Sequence, residues 1–228
     1  MGNIVKIKST ADDGFKFDGY HAAPIATPEG ATRKGGVIVV QEIFGLDEHV
    51  RHDVDRWASL GFEAIAPSLY DRREPGFVSG HDPDGMKAGI AHAMGTPMDQ
   101  ALADIAAVRD RLGPAGKVYI VGYCYGGSMA WLAAGKLEGL SGSSSYYGSM
   151  VQANATLKPK CPTIVHLGRL DTMIPADDVK AAVQAANPDV AVYIYEDAGH
   201  GFNNDDPARH NSTSADLARA RTLELFGA

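Results

Sequence analysis

Val118-Tyr119-Ile120-Val121-Gly122-Tyr123-Cys124-Tyr125-Gly126-Gly127-Ser128 runs from a short apolar, β-prone segment through a glycine-bracketed cysteine into an alanine-rich segment of helical character. This is the pattern of a nucleophile elbow, with Cys where most such elbows carry Ser. A strand that reverses sharply into a helix strains the backbone of the residue at its apex. Side chains two positions to either side would then collide, and Gly122 and Gly126 leave room. The apex thiol would sit above the strand ends, at a helix N-terminus whose dipole favours a thiolate. The competing reading is an inert cysteine that is merely small and buried in a turn. The motif alone does not separate the two.

Outward from this stretch, apolar segments alternate with helical ones. Val37-Ile38-Val39-Val40 is a continuous β-branched run, as a strand buried on both faces of a parallel sheet requires. Gln41-Glu42-Ile43-Phe44-Gly45 follows at its C-terminal end, where open α/β sheets place ligands. Phe62 to Ala66, Thr163 to Leu167 and Val190 to Tyr195 read as further strands, and Ser143 to Tyr147 as a weak polar one. Val5 to Ile7 and Phe15 to Tyr20 flank Asp12-Asp13-Gly14 and read as a hairpin, with Pro24 and Pro28 marking the loop beyond.

Helices are expected from Glu48 to Leu60 behind an Asp47 cap, over Lys87 to Gly95, and from Thr96-Pro97 to Leu112 with Thr96 as cap. Others run from Gly127 to Lys136, from Pro175 onward, and from the box Thr213-Ser214-Ala215-Asp216 to Phe226. Pro67 to Gly85 reads as a long loop over the sheet's upper edge, packed by Tyr70 and Phe77. No repeat or linker interrupts the alternation. The expectation is one α/β domain over residues 1–228, a doubly wound, mostly parallel sheet with helices on both faces.

A length of 228 residues suits one such domain. The net charge of −7 and the lack of a basic block argue against nucleic-acid binding. Any anionic substrate would need locally placed arginines. Cys124 and Cys161 are too few for a disulfide framework. The start MGNIVKIKST has no apolar leader core, and no apolar run approaches a membrane span. A reducing cytoplasm is the expected location. No His/Cys cluster has metal-ligand spacing and the elbow lacks the GK[ST] of a P-loop, so no metal or other cofactor is expected. No nucleic-acid or membrane partner is expected, and the chain is expected to be a monomer or weak homodimer.

Cys124, Asp171 and His200 each follow an apolar strand segment, in the order nucleophile, acid, base used by α/β-hydrolases. Parallel strands would bring their C-terminal loops to one edge of the sheet. His200 would take the thiol proton and return it to the leaving group, while Asp171 holds the imidazole tautomer. Alternatives stand beside each assignment. Asp171 could be a turn residue bonded to its own backbone, Asp197 is a rival acid, and His200 could be an ordinary loop histidine despite Gly199 and Gly201. Cys161 before Pro162 reads as a buried hydrophobe. Glu42 could be a solvated carboxylate, or it could hydrogen-bond the Cys124 thiol.

Together, Gln41-Glu42-Ile43-Phe44-Gly45, Gly122-Tyr123-Cys124-Tyr125-Gly126-Gly127, the Gly168-to-Asp171 turn and Gly199-His200-Gly201-Phe202 resemble the dienelactone hydrolase family. The resemblance spans nearly the whole chain. It implies an α/β-hydrolase fold and a triad of Cys124, Asp171 and His200. Glu42 would hold the resting thiol neutral until substrate arrives, and the backbone N–H groups of Ile43 and Tyr125 would form the oxyanion hole. The implied reaction opens a five-membered enol-lactone bearing a carboxylate to maleylacetate, in the degradation of aromatic compounds. Two arginines usually hold that carboxylate. The segment from Leu69 to Gly76 supplies Arg72, with Arg73 and Tyr70 beside it, although Arg72 could instead pair with Asp71 or Glu74. Where the second arginine is expected, this chain has Asn203-Asn204, and its next arginine is Arg209. That departure bears on the substrate, not on hydrolysis. The expectation is therefore a cysteine hydrolase acting through a thioester. A broader carboxylesterase or thioesterase is the alternative, and a non-catalytic redox-sensing or binding protein using Cys124 is a third reading.

Overall fold

The structure, a computed structural model, describes residues 1–24 and 33–228. Pro28 lies outside the described residues. The chain divides into two compact units, the first ending at Ile120 and the second beginning at Val121.

In the first unit, β1 (Asn3–Lys8) and β2 (Lys16–Ala22) form the expected antiparallel hairpin, with Ile7 opposite Phe17. β2 pairs antiparallel with β4 (Glu63–Pro67), and β4 pairs parallel with β3 (Gly36–Val40), giving the order β1-β2-β4-β3. Every residue of β3 is buried, which explains its unbroken β-branched run. Helix α1 (Glu48–Ser59) starts where Asp47 accepts the Val50 N–H at 3.0 Å, and it buries Val50, Val54 and Trp57.

Two helix boundaries in this unit differ from expectation. Helix α2 (Pro83–Gly95) begins at Pro83 rather than Lys87, because Asp82 accepts the Gly85 N–H at 2.8 Å and Pro83 fills the first turn. Thr96 does not cap the next helix. Its hydroxyl donates back to the His92 carbonyl at 2.8 Å and closes α2, while α3 (Met98–Leu112) starts after Pro97 without a side-chain cap.

The segment between β4 and α2 is tied down by charge. Asp71 is buried and accepts from the Asp18 N–H (2.7 Å), the Ser68 hydroxyl (2.6 Å) and the Gly76 N–H (2.9 Å). Arg72 makes a two-pronged pair with Asp104 of α3, Nε to Oδ2 at 3.2 Å and Nη2 to Oδ1 at 3.0 Å. It also pairs with Asp13, and its guanidinium lies 4.3 Å from the Phe15 ring centroid. Such a fork matches the planar donor set of arginine to a carboxylate.

In the second unit the strands run β5 (Val118–Tyr123), β6 (Gly142–Tyr146), β7 (Thr163–Gly168) and β8 (Ala191–Tyr195), hydrogen-bonded in that order. The β6–β7 and β7–β8 pairs are parallel. Helices α4 (Tyr125–Lys136), α5 (Ala176–Ala186) and α6 (Ser212–Phe226) alternate with them. The expected cap of α6 is corrected. Asn211, not Thr213, accepts the Ser214 N–H at 3.0 Å, and Gly227 ends the helix at φ 73°. Among the described residues no helix is long and apolar enough to cross a membrane.

β6 is polar yet wholly buried, because each serine hydroxyl has a partner. Ser143 donates to the Ala130 carbonyl, Ser145 to the Gly127 carbonyl, and Ser144 bonds Thr222 of α6. His166 of β7 joins this network through Tyr195 (2.8 Å), Ser144 (3.1 Å) and Thr222 (3.2 Å). Burial, with a smaller push from Arg221, lowers the His166 pKa to about 3.

Two predictions follow from these packing arrangements. His166 stays neutral in the fold but protonates below about pH 6.5 once unfolded, so stability is full above that pH and declines as pH falls toward 3. The loss from this group is about 1.4 kcal/mol per pH unit. Urea titrations between pH 4 and 7 should show a shallower decline in His166→Gln, and an unchanged slope would refute the assignment. Arg72→Ala leaves Asp104 buried without its partner and should cost about 3 kcal/mol of stability. A thermal melt equal to wild type would contradict that structural role.

Candidate active site

β5 ends at Tyr123, and the chain turns into α4 at Cys124 with φ 54° and ψ −111°. A non-glycine residue is strained in that region, at a cost of about 1–3 kcal/mol. The surroundings enforce it. A β-carbon on Gly122 would lie 2.0 Å from the Gly126 carbonyl oxygen, and one on Gly127 would lie 2.1 Å from that of Tyr146. The Cys124 N–H donates to the Tyr146 carbonyl at 3.0 Å, while its own carbonyl accepts from the Ser128 N–H at 3.1 Å. The thiol is left half-buried at the first turn of α4, whose leading N–H groups lack intrahelical acceptors. The Tyr125 N–H is the first of these.

The loop after β7 carries Asp171, and the loop after β8 carries His200. Backbone bonds join the two loops, from the Arg169 N–H to the Tyr195 carbonyl and from the Leu170 N–H to the Ala198 carbonyl, both 2.9 Å. They pack closely because Gly168 has no side chain; a β-carbon there would be 2.4 Å from the Ala198 oxygen. Asp171 accepts the Met173 and Ile174 N–H groups on Oδ1, at 2.9 and 3.2 Å, which leaves Oδ2 for His200 Nδ1 at 2.7 Å. Asp171 thus closes its own turn with one oxygen and meets the imidazole with the other. Asp197 is exposed and is not the partner of the imidazole.

His200 Nε2 lies 3.2 Å from Cys124 Sγ. This separation lets the thiol proton pass to nitrogen without rearrangement. Burial opposes charge on the imidazole, but hydrogen bonds to Asp171 and Cys124 and their negative charge outweigh it, raising the His200 pKa to about 10. The arrangement is therefore built to stabilise an imidazolium between a carboxylate and a sulfur. Of the two glycines beside His200, Gly201 is the one the backbone requires, at φ 76°; nothing lies within 4 Å of a β-carbon on Gly199.

The remaining candidates lie as follows. Glu42 is 2% exposed, an unusual burial for a carboxylate, in the turn after β3. Ile43, next in that turn, presses its carbonyl against α2, where a β-carbon on Gly89 would lie 2.4 Å away. Gly45 at φ 81° bridges Val78, so the turn is held by the segment ahead of α2. Tyr70 is fully buried and stacks on His92 with centroids 5.5 Å apart. Arg72 is occupied by Asp104 and Asp13 rather than by Asp71 or Glu74, and Arg73 donates to the Gly95 carbonyl at 2.9 Å. The Arg72 side chain, proposed from the sequence to hold a substrate carboxylate, is 9% exposed and its fork faces Asp104 and Asp13. Asn204 is buried, its side chain accepting the Asp206 N–H at 2.8 Å in a local turn. One neighbour of His200 had no sequence signal. Tyr147 lies beside the His200 ring through a contact that only the folded chain creates.

The model of the family described as the dienelactone hydrolase family matches residues 17–228. A carboxymethylenebutenolidase of Pseudomonas putida is 30% identical over 225 residues, covering 94% of this chain and 92% of its own. A Salmonella typhimurium protein, designated a carboxymethylenebutenolidase by inference, is 34% identical over 241 residues, covering 98% and 86%. Among solved structures, a Klebsiella pneumoniae protein, designated a dienelactone hydrolase by inference, superposes with a TM-score of 0.83 at 30% identity, over 100% of this chain and 99% of its own. A Pyrococcus furiosus esterase, 15% identical with a TM-score of 0.70 over 100% and 91% of the two chains, shares the fold. The chain belongs to the dienelactone hydrolase family, has the α/β-hydrolase fold and is a hydrolase acting on ester bonds.

Proposed function

We propose that Cys124 is the nucleophile of a cysteine hydrolase that opens a small carboxylated enol-lactone, dienelactone to maleylacetate, through a thioester. The observation that carries this reading is the single line from Asp171 Oδ2 through His200 to Cys124 Sγ, at 2.7 and 3.2 Å. The thiolate attacks the lactone carbonyl, and the ring C–O bond breaks as the His200 imidazolium protonates the departing enolate oxygen. Water, deprotonated by His200, then attacks the thioester and releases the acid and the thiolate. Asp171 keeps Nδ1 protonated throughout. The Tyr125 N–H, at the head of α4, stabilises the oxyanion, and such a donor is worth about 3 kcal/mol at the transition state. From the family resemblance we assign the second donor to the Ile43 N–H. On the same ground we give Glu42 the role of restraining the resting thiol. One catalytic domain over residues 1–228, in a reducing cytoplasm where the thiol survives, fits this chemistry, and aromatic-compound degradation is the setting the family resemblance implies.

A second reading has its own observation. Because Arg72 is filled by Asp104 and Asp13, and Asn204 stands where a second arginine is expected, a neutral ester or thioester fits this chain as a broader carboxylesterase.

Three expected outcomes test these assignments. His200→Ala should lose about a thousandfold or more in kcat while keeping its circular dichroism, and retained turnover would remove the triad. Side-by-side kcat/KM for cis-dienelactone, trans-dienelactone and p-nitrophenyl acetate separates the readings. The lactones should be turned over far better, whereas ester turnover alone favours the esterase. The pH profile of kcat/KM should keep its basic limb near pH 10, because the imidazolium of the folded enzyme is lost only as pH rises through about 10. A limb near pH 7 would show that His200 is not held as an imidazolium.

A further inference from the structure

Tyr147 and Cys124 are the two described non-glycine residues with positive φ, at 38° and 54°. A tyrosine has no local reason to adopt the left-handed region, so its surroundings must impose it. Backbone bonds grip the turn on both sides. The Tyr146 carbonyl accepts the Cys124 N–H at 3.0 Å, and the Tyr147 N–H donates to the His166 carbonyl at 2.8 Å. Gly148 follows, where a β-carbon would lie 2.6 Å from the Ser128 nitrogen, so the chain cannot relax toward α4. The result is a fully buried ring whose centroid is 5.1 Å from that of His200, tilted by 59°. Phe202 meets the same ring edge-on at 5.3 Å and reaches Tyr195 at 5.1 Å.

We infer that Tyr147 is a positioning residue for His200: its strained turn presses the aromatic ring against the imidazole and confines it to the rotamer that spans Asp171 and Cys124. The inference rests on the triad reading above. Hydrogen bonds at Nδ1 and Nε2 fix the two ends of the imidazole, but a ring held only at its ends can still swing out of their line. A rigid contact beside the ring opposes that swing. One two-residue segment then serves both partners, since the Tyr146 carbonyl holds the nucleophile's backbone and the Tyr147 ring holds the base. A misplacement of about 1 Å can cost a hundredfold in rate, so such a contact matters even without touching substrate.

The test compares Tyr147→Phe, Tyr147→Leu and His200→Ala with p-nitrophenyl acetate as the probe. Tyr147→Phe keeps the ring and should retain kcat within about twofold. Tyr147→Leu should lower kcat by about tenfold to a hundredfold with KM changed by less than about twofold and an unchanged circular dichroism spectrum. If Tyr147→Leu does not fold, Tyr147→Met, with an unbranched chain to fill the same space, replaces it. A leucine or methionine variant with wild-type kcat beside an inactive His200→Ala would overturn this inference alone. So would a phenylalanine variant as slow as the leucine one, since the ring would then not be what matters. An active His200→Ala would instead overturn the triad reading beneath it.

Discussion

A β-carbon on Gly122 would lie 2.0 Å from the Gly126 oxygen, and one on Gly127 2.1 Å from the Tyr146 oxygen. These two absences let the chain reverse at Cys124 and enter α4 within one residue. The geometry of the candidate site hangs on that reversal. It aims the sulfur at His200, it places the Tyr125 N–H at the head of a helix, and it engages the Tyr146 carbonyl through the Cys124 N–H. The strain at Cys124 persists because its neighbours over-determine it, with a backbone bond on each side of the apex.

Two buried histidines in the second unit show how environment sets their use. His166 and His200 are both withdrawn from water, and burial pushes each toward the neutral form. His166 faces hydroxyls alone among its hydrogen-bond partners and goes down to about 3; it becomes a fixed polar tie between β6, β8 and α6. His200 faces a carboxylate and a sulfur, and goes up to about 10. The same side chain is held neutral in one place and favoured as an imidazolium in the other. The difference is the charge of its partners, not the depth of its burial.

Arg72 carries the clearest lesson about substrate. In isolation, an arginine in a loop above a sheet edge is an anion receptor waiting to be used. Here its fork is closed by Asp104 from α3 and by Asp13 from the hairpin turn, with Phe15 against its face. A guanidinium already paired with two carboxylates would receive a third only in competition with them. The arginine therefore ties the hairpin and α3 to the segment before α2, a role that would be retained with any substrate.

The sequence by itself determined the order of strands and helices, the cysteine elbow, and the strand-end loops on which Asp171 and His200 stand. These are legible because each is a local matter: β-branched runs, caps, and glycines where the backbone must turn or pass closely. Even the caps could mislead when two stood side by side. Thr96 could close one helix or open the next, and Asn211 precedes the box read at Thr213. The tertiary structure alone decided what each side chain meets. Asp171 rather than Asp197 reaches His200, Arg72 meets Asp104, Glu42 is buried, and Tyr147 is pressed against the imidazole. Partnership between residues far apart in the chain is a property of packing, and no periodicity or spacing along the chain encodes which side chain will occupy a given neighbour's free face.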